Sequence, residues 1–169
     1  WQPESILYLL LVTVCYVIGS FYSGVILGNS HFRLGRRYGV PLTLVAFFIF
    51  LCWFFLPYFP RYALLWACVA MGVQNAMVSH YKGTIIRTTH LSGVLTDLGL
   101  ALGYRVSGLV VERRRVVLHL LILSGFLIGG LCASWMYPYL KLNSFLVPTA
   151  FSLILSVVYW IIYFRYRRF

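Results

Sequence analysis

The sequence predicts an all-α, polytopic membrane bundle. Several windows of about 20 residues hold no charge, which is the length needed to cross a hydrocarbon core, and aromatic residues gather where those windows end. Hydrophobic residues make up 62% of the chain and charged ones 10%, with a mean hydropathy of +0.88. That balance lies far from the soluble mixture. The 169 residues leave no room for a separate soluble domain, so 1–169 reads as a single transmembrane domain.

The apolar runs, in order, are Ile6–Leu27, Val40–Tyr58, Ala63–Ser79, a more polar Ile85–Tyr104, Val116–Tyr137 and Phe145–Phe164. Tyr58, Phe59 and Tyr62 flank one boundary, Trp135, Tyr137 and Tyr139 another, and Tyr163 and Tyr166 the last. Such residues form the belt where the membrane meets water. Pro57, Pro60 and Pro138 are expected to end spans, whereas Pro41 and Pro148 fall near span starts, where a missing N–H costs little.

The net charge of +11 comes from three short clusters: Arg33, Arg36 and Arg37; Arg105 with Arg113–Arg115; and Arg165, Arg167 and Arg168. Basic residues confined to loops between apolar runs mark cytoplasmic span ends and meet anionic lipid headgroups, which makes the lipid bilayer the expected partner and argues against nucleic acid. The four cysteines are isolated in apolar segments and no two histidines stand four apart, so neither a disulfide nor a metal is implied. No Ser-His-Asp set, paired carboxylates or phosphate-cradling glycine loop is readable. The sequence therefore implies no enzyme and no cofactor.

Loop charge also constrains the path of the chain. If all three clusters are cytoplasmic, the first run ends inside, the second returns outside, the fifth starts inside and the sixth ends inside. The region Ala63–Tyr104 must then make an odd number of crossings although it contains two apolar runs. One of them is expected to be broken, re-entrant or half-spanning.

Tyr16-Val-Ile-Gly19 is echoed by Phe126-Leu-Ile-Gly129 110 residues later, and Val40-Pro41 by Val147-Pro148 at an offset of 107. The basic cluster follows the first run in one copy and precedes its counterpart in the other. This predicts two inverted repeats with broken helices meeting near the midplane, residues 1–62 ending the first and 63–169 forming the second. The counterpart of Ala63–Tyr104 would then lie upstream of Trp1, in about 50 residues, so that the N-terminal part of the first repeat is absent. Gly24/Gly28 and Gly125/Gly129 form GxxxG pairs, expected to serve packing within the chain rather than a dimer seam.

The polar passage Ala70–Asp97 interrupts this hydrocarbon. Polar side chains persist inside a bilayer only where protein or water surrounds them. Gly72, Asn75 and Ser79 share a helix face, with Gln74 alongside. These amides suit either binding a solute or hydrogen-bonding a neighbouring helix. Thr88 and Thr89 suit a helix start whose free N–H groups, with Arg87 beside them, would favour an anion. An ordinary hydroxyl-capped helix at the headgroups is the alternative. Thr89, Gly93 and Asp97 fall on one stripe with Ser92 and Thr96 beside it. Asp97 is the one acidic residue within a plausible span, and is expected to face a cavity, pair with a cation such as Arg87, be protonated, or snorkel to water. A histidine's charge changes near physiological pH, which makes His90 a candidate proton carrier.

The residues Ala70-Met-Gly-Val-Gln-Asn-Ala76 and Arg87-Thr-Thr-His-Leu-Ser-Gly-Val-Leu-Thr-Asp97 resemble the YoaK-like family of bacterial membrane proteins, a domain of unknown function. The family shows a Gly-x-Gln-Asn-Ala element followed by a Thr-Thr-x-x-Thr-Gly element. Ser92 stands here for the usual threonine and keeps the hydroxyl. The Gly35–Gly39 loop, Gly-Arg-Arg-Tyr-Gly, is similar too. The resemblance implies about six helices and an earlier copy of the motif ending in Thr-Gly-Asn, which this sequence lacks. It also implies a bacterial inner (plasma) membrane location, with the C-terminus cytoplasmic by loop charge.

The resulting expectation is a small-solute transporter or channel favouring an anion. Gln74, Asn75, Arg87, Thr88, Thr89 and Ser92 would contact the solute, and His90 and Asp97 would couple protons. The alternative is a membrane scaffold or accessory subunit, in which the polar passage packs helices and an oligomeric or other membrane partner completes the assembly.

Overall fold

The computed structural model describes residues 3–28, 36–79 and 91–166. The elements are α1 (Pro3–Leu27), α2 (Arg36–Phe55), α3 (Pro60–Ser79), α4 (Leu91–Val106), α5 (Arg113–Leu140), a 3₁₀ turn (Lys141–Phe145) and α6 (Leu146–Tyr166). No strand occurs among the described residues. The all-α reading holds, and each apolar run became a helix. Four helical segments are long and apolar enough to cross a membrane: Glu4–Leu27, Tyr38–Phe55, Pro60–Ser79 and the continuous run Arg113–Arg165. The last has 53 residues, about 80 Å of helix against a core of about 30 Å, which is enough for two crossings.

The helix ends follow local chemistry. Gly28 at φ 51° closes α1 with its N–H on the Gly24 carbonyl at 2.8 Å, the single-bond left-handed cap. Gly24/Gly28 is thus not a contact motif, since a Cβ on Gly24 would meet nothing within 4 Å among the described residues. Gly108 at φ 75° ends α4, its N–H on the Arg105 carbonyl and that of Leu109 on the Tyr104 carbonyl, the paired bonds of a Schellman motif. Two prolines depart from expectation. Pro60 opens α3 instead of ending a span, using the first helical position where no N–H is needed. Pro138 lies inside α5, which continues to Leu140 and stops where Lys141 turns to φ 46°.

The chain forms two compact units, Trp1–Ile86 with Leu140–Phe169, and Arg87–Tyr139. In the first, α3 lies between α1 and α2, and α2 lies between α3 and α6. Paired contacts give the directions. Tyr8 meets Arg61 and Ser20 meets Gly72, so α1 and α3 are parallel. Thr43 meets Ser156 and Trp53 meets Asn143, so α2 and α6 are antiparallel. The chain turns back at once between α2 and α3, and the rings of Phe48 and Trp66 stack at 5.8 Å. The ends of α1, α3 and α6 therefore share one side with the start of α2.

Helices in lipid gain little from excluding water, and they associate through close packing and hydrogen bonds. The α2–α6 seam shows both. Thr43 donates to the Gly39 carbonyl (2.9 Å), pairs with the Ser156 hydroxyl (2.7 Å) and accepts from the Trp160 indole N–H (3.1 Å). Cys52, Ala63, Ala70 and Val73 fill the centre, while the outward faces are almost wholly apolar, as lipid requires.

α3 is unbroken, with 20 residues, and ends on the same side as α1. α4 has 16 residues, about 24 Å of helix, and is not among the segments long and apolar enough to span. α3 carries no break, and the described part of α4 is the shorter of the two helices.

Candidate functional site

The first candidate region grows out of the α1–α3 crossing. Gly19 and Gly72 bring the two backbones together: a Cβ on Gly19 would run into the Val69 carbonyl, and one on Gly72 into the Tyr16 carbonyl. This proximity lets the Ser20 hydroxyl donate to the Gly72 carbonyl at 3.2 Å. One turn on, the Asn75 amide N–H donates to the Tyr16 hydroxyl at 2.9 Å. Asn75 is 5% exposed, and Ser79 returns its hydroxyl to the Asn75 carbonyl at 2.8 Å. The shared face of Gly72 and Asn75 is thus turned to α1, while Gln74 beside it is half-buried.

Asn75 is four residues from the end of α3, about 6 Å along the axis. The outward side of the same crossing is an apolar groove of about 580 Å³ between Tyr8 and Tyr16 on α1 and Leu64 and Met71 on α3. Its lining suits hydrocarbon rather than a polar solute.

The second region lies within the α4–α5 unit. Asp97 Oδ2 is 3.3 Å from Arg115 Nη2 and 3.4 Å from His119 Nε2. The arginine contact is a hydrogen bond. The Asp97 and Arg115 side chains are 38% and 56% exposed, whereas His119 is 6% exposed. Asp97 is thus paired, and its described cation is Arg115. The covered side of α4 runs through Leu91, Val94, Asp97, Leu98 and Ala101. Ser92, Gly93 and Thr96 are exposed, the Thr96 hydroxyl bonding back to the Ser92 carbonyl at 2.9 Å. The Gly93–Asp97 stripe with its flanking hydroxyls therefore does not form one buried face.

Of the residues proposed from sequence, Gln74, Asn75, Ser92 and Asp97 are described, while Arg87, Thr88, Thr89 and His90 lie outside the described residues. Asn75 and Gln74 belong to one unit, Ser92 and Asp97 to the other. Three partners were not anticipated: Tyr16, Arg115 and His119. The last two carried a signal, a basic residue and a histidine four apart at the head of an apolar run.

No curated protein and no solved structure matches this chain. The profile of one family, described as a protein of unknown function (DUF1275), matches residues 1–158. A match over nearly the whole length settles membership: the chain belongs to the DUF1275 family.

Proposed function

We infer that this protein is a small-solute transporter or channel of the bacterial inner membrane that favours an anion. The observation carrying this reading is the Asp97–Arg115–His119 cluster, in which the Asp97 carboxylate makes the only ion-pair contacts among the described residues. Ionisable residues within apolar helices are costly, and their usual justification is a solute or proton path. Gln74 and Asn75 are the candidate solute contacts of the first unit, and Arg87, Thr88, Thr89 and Ser92, with Asp97 and His90 to couple protons, are those of the second. Two inverted repeats supply the frame, and the side shared by the ends of α1, α3 and α6 faces the cytoplasm, in accord with its basic residues. Catalysis has no part in this reading.

A specific observation favours a second reading. The Asn75 amide is committed to Tyr16, which is how a polar residue ties helices together in a scaffold. Anion flux into liposomes separates the two. Transport predicts that Asn75→Ala and Thr89→Ala each slow flux in folded protein. Unchanged flux in both variants removes the site assignment, and absence of flux in the wild type leaves the scaffold.

A further inference from the structure

Arg115 and His119 stand four residues apart on α5, a spacing that puts both on one face. Both reach the same atom, Asp97 Oδ2, at 3.3 and 3.4 Å. Charge-assisted N–H···O bonds run at about 2.7–2.9 Å, so neither contact is drawn to its optimum. Only the arginine contact has hydrogen-bond geometry. The imidazole is buried beside the carboxylate and has no other polar partner among the described residues. A guanidinium fork matches a carboxylate in shape, and the imidazole Nε2 lies close to the same oxygen. The aspartate head is chemically a tethered acetate.

We propose that Arg115 and His119 form a receptor for a small soluble monocarboxylate, and that Asp97 is an internal occupant which such a solute displaces. The purpose of this receptor rests on the transport reading above; its existence does not. The helix already holds the Asp97 carboxylate in place, so Asp97 loses none of the translational freedom that a free solute must give up on binding. A soluble carboxylate therefore competes poorly in the wild-type protein, and removing the Asp97 carboxylate lowers the concentration it needs.

The test is the melting temperature of the intact chain in detergent, titrated with acetate, with uncharged isosteric acetamide and with chloride. Asp97→Ala is expected to melt below wild type and to be restored toward the wild-type melting temperature by acetate, at concentrations that leave wild type unchanged. Acetamide and chloride leave it unrestored, and Asp97→Ala/Arg115→Gln does not respond. Should Asp97→Ala not fold, Asp97→Asn keeps the shape, and acetate is expected to stabilise it more than wild type. Equal responses with and without Arg115, or equal rescue by acetamide or chloride, overturn the proposal. Rescue by phosphatidylglycerol and not by acetate overturns the soluble carboxylate. Acetate rescue without anion uptake into liposomes supports the receptor and sinks the transport reading, whereas uptake without rescue does the reverse.

Discussion

The amide of Asn75 on α3 donates to the hydroxyl of Tyr16 on α1 at 2.9 Å, beside a crossing where Gly19 and Gly72 leave no room for a side chain. Cutting one half of a bond between membrane helices costs about 0.6 kcal/mol on average and up to about 1.7. Asn75→Ala and Tyr16→Phe are each expected to destabilise by about 1 kcal/mol. In a double-mutant cycle read by unfolding in mixed micelles, the pair should lose less than the sum of the singles. Additive losses would mean that the bond contributes nothing.

The crossing itself gives a sharper contrast. Gly19→Ala and Gly72→Ala place a methyl against backbone that cannot swing aside. Overpacking of this kind costs about 1–3 kcal/mol. Gly24→Ala has open space and gains the better helix propensity of alanine. Thermal unfolding should rank the first two well below wild type and the third level with it or above.

Thr43 is the shared oxygen of the α2–α6 seam, touching Gly39, Ser156 and Trp160. Thr43→Val keeps the volume and removes every bond at once, leaving the Ser156 hydroxyl and the Trp160 N–H short of a partner. A loss of about 1–3 kcal/mol follows from stranding such groups. Thr43→Ser is expected to recover most of it, and an unfolding series over the three side chains measures the recovery.

Lys141 holds φ 46° at the end of α5, a conformation that disfavours side chains by about 1–2 kcal/mol. Lys141→Gly is expected to raise the melting temperature slightly, and Lys141→Val to lower it. Equal effects from the two would show that the backbone there does not hold this conformation.

The helices were legible because a charge-free window of about 20 residues has few other uses in a chain. Their ends were less so. Proline was read as a stop at 60 and 138, yet the first position of a helix tolerates it, and near the end of α5 it removes only the bond to Ser134 before the helix closes. Asn75 stood out as an amide in an apolar run. Its partner did not, because a tyrosine in a span reads as packing or belt until a second helix brings it a donor. Arg115 was counted among headgroup arginines, and His119 as a solitary histidine; only the approach of α4 turns the two into one receptor around Asp97. Whether the glycines marked contacts also depended on topology: Gly72 meets a neighbouring backbone, Gly24 does not, and Gly125 and Gly129 face no neighbour within their own unit.

The turn between α2 and α3 bears on how the protein enters the membrane. Leu56-Pro57-Tyr58-Phe59 is four residues without a charge, and backbone bonds from Tyr58, Phe59 and Ala63 close it tightly. If the basic helix ends stay in the cytoplasm, as proposed above, the two helices would be delivered together as a hairpin, tip first. The one charge carried over is Arg61, at a toll of about 2.5–3.5 kcal/mol if it pauses at the bilayer centre. On that orientation the aromatic tip that would anchor the finished protein at the far interface would also be the leading edge of its insertion.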